Sequence, residues 1–100
     1  MAVYHIVLFK LKPGVKQEQV DNWCAKGGEM VGQIPGLVKF SAGAPLPITA
    51  ARAQGYDLGV TAILEKPDDI MVFATHPAHN ELSKLREGMT DEVLCFDLEF

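Results

Sequence analysis

One hundred residues are expected to form a single domain over 1–100, and their 48% hydrophobic share is hard for so small a domain to hide, which makes a homodimer the simplest relief. Nine Lys and Arg are scattered among 13 Asp and Glu for a net charge of −4, with no basic stripe, so nucleic acid is excluded as a partner. No apolar run approaches membrane-spanning length, so no membrane partner is expected.

The opening Met1-Ala2-Val3-Tyr4-His5 has no charged segment leading into an apolar one. No secretion signal is visible, and a cytoplasmic location is expected. Cys24 and Cys95, neither in a CxxC pattern, are expected as small buried hydrophobes.

Val3 to Leu11 is β-branched and aromatic and is apolar on both faces apart from His5 and Lys10, which predicts a strand covered on each side. From Lys16 to Ile34, the apolar residues Val20, Trp23, Cys24, Met30, Val31 and Ile34 fall at helical spacing. Gly27, Gly28 and Gly32 lie in that stretch, and each glycine costs roughly 0.5–1 kcal/mol against alanine inside a helix. Either the helix packs closely on the sheet at Gly27, or a hole there receives a ligand. Pro35-Gly36 stops the helix, Leu37 to Gly43 reads as a second strand, and Ala44 to Gln54 reads as a loop. Tyr56 to Leu64 is a third strand. Asp68 and Asp69 suit a helix start, Ile70 to Ala74 begins that helix, and Pro77 interrupts it before a second piece runs to about Met89. Val93 to Phe100 alternates and closes the chain as a strand.

The order β-α-β-β-α-β predicts an α+β, ferredoxin-like domain: a four-stranded antiparallel sheet with its helices on one face. The other face is left bare. Two such sheets packed face to face would make a dimeric α/β barrel.

Several segments, in order along the chain, resemble one family. They are Val3-x-His5-Ile6-Val7-Leu8, Ile34-Pro35-Gly36, Gly55-Tyr56, His76-Pro77-Ala78-His79 and Phe96-Asp97. The HPAH tetrapeptide is the most specific. The set resembles the stress-responsive A/B barrel proteins, a branch of the dimeric α/β barrel superfamily that includes a plant polyketide cyclase and heat-stable stress proteins. The resemblance implies His79 as a general base and His5 as a second site histidine. It implies pocket positions at Gly27, Leu58 and Phe73; Trp23 reads as core that also forms pocket wall, and Tyr56 as strand packing with its hydroxyl at the pocket or interface. Phe73, Leu58 and Gly27 stand where the cyclase carries Tyr, His and Tyr. Some relatives hold magnesium on backbone carbonyls, which fall here at Val31, Ile34 and Leu37.

Read from its chemistry alone, His79 sits near a helix start, where the dipole disfavours imidazolium and keeps the ring a neutral base. With His5 in an apolar cleft it could hold an enol, a carboxylate or a phenol. No transition-metal ligand set is evident from spacing, and no cofactor is expected. Asp57 reads as a solvent-side residue or as an orienter for a nearby histidine, and Asp97 as exposed or at the dimer seam. Three functions stay open: a cofactor-free cyclase or isomerase acting on a small enolisable or aromatic substrate, a non-catalytic barrel binding a small apolar or aromatic ligand, and a small monooxygenase.

Overall fold

The computed structural model describes residues 1–100. In chain order the elements are β1 (Val3–Leu11), α1 (Gln17–Gly28), β2 (Leu37–Gly43), β3 (Leu58–Leu64), α2 (Asp69–Thr75), α3 (Pro77–Glu87) and β4 (Thr90–Glu99). A 3-10 turn, Ala50–Ala53, lies between β2 and β3. The strands form one sheet in the order β2-β3-β1-β4, with every neighbouring pair antiparallel. This is the expected ferredoxin-like arrangement, with β1 and β3 inside and β2 and β4 at the edges.

Strand alternation divides the sheet into two faces. Leu58, Val60, Ala62 and Leu64 of β3 are buried, as are Val3, Val7 and Phe9 of β1. They meet Val20 and Trp23 of α1, Phe73 of α2 and Leu82 of α3 in one core. On the opposite face, Tyr4, Ile6 and Leu8 of β1 register with Leu98, Phe96 and Leu94 of β4. Those three β4 side chains are exposed, Phe96 at 61%. The Tyr4 and Phe100 rings stack with centroids 4.0 Å apart.

The boundaries differ from expectation at three places. Helix α1 ends at Gly28 rather than Ile34. Gly32 takes φ +94°, a left-handed conformation that no helix continues through. Met30 and Ile34 still reach the core from the turns that follow, so the apolar spacing outlives the helix. β3 begins at Leu58, not Tyr56, because the Tyr56 amide donates to the Ala53 carbonyl and closes a turn. β4 begins at Thr90, three residues early, because a register shift between Lys10 and Leu11 lets it keep pairing with β1. Cys95, expected buried, is exposed, since the edge strand that carries it is left largely uncovered, while Cys24 is half-buried.

Candidate functional site

His5 is placed by β1, whose alternation sends Val3, His5, Val7 and Phe9 toward the helices. His79 is placed by the break between α2 and α3. There His76 adopts an extended conformation at φ −68° and ψ 139°, and its Nδ1 accepts the Ala78 amide at 3.1 Å. Pro77 follows at the first helical position, where its missing N–H costs nothing. His79 then falls in the first turn of α3 and faces the sheet.

His5 and His79 line one cleft between helices and sheet, together with Trp23, Phe73, Phe40, Met30, Leu82, Ser83 and Arg86 among others. The Phe73 ring packs against both histidines, with centroids 5.2 Å from His5 and 4.5 Å from His79. Trp23 is fixed in the wall by its Nε1, which donates to the Leu82 carbonyl at 3.0 Å. The free volume is about 40 Å³. That holds about one water molecule.

The remaining expected pocket residues lie elsewhere. Gly27 opens no hole: a Cβ built there would fall 2.3 Å from Cε1 of Phe40. The phenyl ring fills the space, and the close-packing explanation accounts for this glycine. Leu58 is 1% exposed, buried in the core opposite Phe9. Tyr56 sits before β3 with the Lys10 ammonium 4.9 Å from its ring centroid. Val31, Ile34 and Leu37 mark the turns from α1 into β2, and the Ile34 carbonyl already accepts the Leu37 amide at 3.2 Å.

Electrostatics separates the two histidines. Nδ1 of His79 is buried with no hydrogen-bond partner. Burial pushes its pKa below the ordinary 6.5; the Ala74 backbone opposes this, while the charges of His5 and Arg86 push it further down. His79 is therefore a neutral ring with an unused nitrogen at pH 7. Nδ1 of His5, by contrast, is held by Asp97 Oδ1 at 2.5 Å. A carboxylate on Nδ1 fixes the tautomer and leaves Nε2 as the free nitrogen.

Asp97 and Arg86 were missed as site residues. Asp97 is exposed, as expected, yet antiparallel register sets it opposite His5. Arg86 follows His79 by seven residues, two helical turns on the same face, which was a readable signal. Asp57, also exposed, accepts the Leu11 amide at 2.8 Å and ties down the end of β1.

A split βαβ sheet with a cleft beneath its helices places this protein among the ferredoxin-like α+β domains. More narrowly, the chain belongs to the Stress responsive A/B Barrel Domain family, which it matches over residues 3–100. It is 27% identical over 95 residues to the stress-response A/B barrel domain-containing protein HS1 of Arabidopsis thaliana, covering 95% of this chain and 86% of that protein. A dimeric ferredoxin-like protein of unknown function from Thermobifida fusca superposes with a TM-score of 0.85 at 25% identity, over 100% of this chain and 92% of that one. A hydroxynitrile lyase from Passiflora edulis superposes with a TM-score of 0.85 at 22% identity, over 97% and 91% of the two chains, a likeness that carries the fold alone. No helix is long and apolar enough to cross a membrane.

Proposed function

We propose that this protein is a homodimeric barrel that performs cofactor-free general-base chemistry on a small enolisable substrate, of the kind a polyketide cyclase uses, with His79 as the base. The observation that carries this reading is the buried, unpartnered Nδ1 of His79 in a cleft where burial, helped by the charges of His5 and Arg86, keeps the ring neutral. A neutral imidazole with a free nitrogen can take a proton from a carbon flanked by carbonyls. The resulting enolate carbon attacks a second carbonyl, forming the C–C bond and an alkoxide. His79 returns the proton to that oxygen, and loss of water then leaves the ring. Arg86 supports the role of electrostatic stabiliser. The protein's two ion pairs are His5–Asp97 and Lys10–Glu92, so the guanidinium at the cleft has no carboxylate partner. His5, oriented by Asp97, presents Nε2 as an acceptor for a substrate hydroxyl or enol proton.

The dimer reading is supported by the exposed apolar sheet face and by the dimeric Thermobifida fusca neighbour.

The apolar lining of the cleft, with Trp23, Met30, Phe40, Phe73 and Leu82, favours a second reading, in which the barrel binds a small ligand and does no chemistry. An aromatic ring fits only if the cleft opens, and the half-buried Phe40 is the side chain whose swing would open it.

Product formation from a linear β-polyketo acid, compared between the protein and His79→Ala, separates these readings. The base reading expects kcat to fall by about 10²–10⁴-fold. Equal turnover by both proteins overturns it. Ligand binding that persists in His79→Ala, with no turnover in either protein, selects the second reading.

A further inference from the structure

The register of β1 and β4 brings together three side chains with the donor types of a transition-metal site. His5 lies opposite Asp97, and Cys95 lies opposite Val7. Cys95 and Asp97, two residues apart, share the helix-side face of the edge strand. Cys95 Sγ is 3.9 Å from His5 Nδ1 and 3.8 Å from Asp97 Oδ2, and the same carboxylate meets His5 Nδ1 through Oδ1. The three ligand atoms lie within 4.8 Å of one another.

We propose that His5 Nδ1, Cys95 Sγ and the Asp97 carboxylate form a binding site for one zinc ion per chain, with the fourth position open to solvent. A tetrahedral zinc with Zn–S near 2.3 Å and Zn–N near 2.0 Å separates its sulfur and nitrogen ligands by about 3.5 Å. The observed 3.9 Å needs only a few tenths of closure, and an exposed edge strand gives that freely. The contact that must open is His5–Asp97, which widens as the metal takes the place of the shared proton. One thiolate, one imidazole and one carboxylate are a donor set suited to zinc, and an open fourth position marks a reactive rather than a structural site.

Zinc takes the sulfur as thiolate and the ring through a deprotonated nitrogen. A dication supplies the countercharge. The thiol proton is released to solvent, and the proton that His5 shares with Asp97 moves from Nδ1 to Nε2. His5 thereby changes from acceptor to donor toward the cleft.

The site stands independently of the role given to His79. The test is zinc titration of the whole, metal-stripped, reduced protein against a chromophoric chelator. The expected result is one zinc per chain. Cys95→Ala and His5→Ala should lose at least about a hundredfold in affinity, while Cys24→Ala and His79→Ala keep it. Cobalt should give a thiolate-to-metal absorption band that Cys95→Ala abolishes and Cys24→Ala retains. No zinc uptake, or uptake unchanged in Cys95→Ala, overturns the site. Asp97→Asn, an exposed and nearly isosteric change, gives a third readout: it should weaken zinc without lowering the melting temperature, and unchanged affinity removes Asp97 from the ligand set. Failure of all zinc binding beside intact His79-dependent turnover would sink the metal site and leave the base reading standing.

Discussion

At the residue scale, the difference between His5 and His79 decides what each can do. Both line one cleft, yet one nitrogen is held by a carboxylate and the other is buried without a partner. The lowered pKa of His79 sets two pH effects of known sign. Its folded-state pKa lies below the 6.5 it has when exposed, so the unfolded chain binds the proton more readily. Stability from this group is fully present above pH 6.5 and is lost as pH falls through 6.5 toward the folded value. Denaturation midpoints between pH 7.5 and 5 should therefore drop for the native protein and drop less for His79→Gln; parallel curves would contradict the assignment. The same shift keeps the base unprotonated in mild acid, so the acid limb of kcat/KM should lie below pH 6.5.

The histidines were readable because imidazole is rare on an apolar strand and the HPAH tetrapeptide is compact. Asp97 and Cys95 were not, because their role depends on register with a strand some 90 residues away.

At the element scale, α1 and β2 meet through one exchange of volume. Gly27 gives up its side chain and Phe40 takes the space, its ring lying 6.4 Å from Trp23 and against the cleft. A Gly27→Ala change puts a methyl group into that ring. Because the clash is with the far end of a side chain, the ring is expected to swing rather than the helix to part. Destabilisation of about 1–3 kcal/mol is expected from such overpacking, read from chemical denaturation. Phe40→Ala should act oppositely on binding. It removes the ring, enlarges the cleft and admits aromatic acids that the native protein binds weakly, at a cost of about 3–5 kcal/mol if the cavity stays empty. Titration calorimetry with a resorcylic acid checks this, and equal affinity in both proteins would dismiss Phe40 as the gate.

At the scale of the whole molecule, the sheet is covered on one side only. Ile6, Leu8, Leu94, Phe96, Leu98 and Phe100 belong to the open face, and the last four are exposed. Apolar surface of this extent on so small a chain is expected to be covered by association. Sedimentation should give twice the 10.9 kDa chain mass. A charge set into that face by Phe96→Glu should shift the protein to monomer while leaving the helix-side core intact. A dimer that survives unchanged would place the contact elsewhere.

The sequence by itself determined the element order, the antiparallel sheet and the family, because strand alternation, glycine and proline breaks and the HPAH step are local signals. It also marked His5, His79, Trp23 and Phe73, which the fold brings to one cleft. Only the tertiary structure decided that Phe40 occupies the space beside Gly27, that Leu58 and Tyr56 stand away from the cleft, and that Asp97 and Cys95 stand beside His5. Those outcomes depend on which side chains meet across strands and between helix and sheet, and that is fixed by register and packing, which no local pattern encodes.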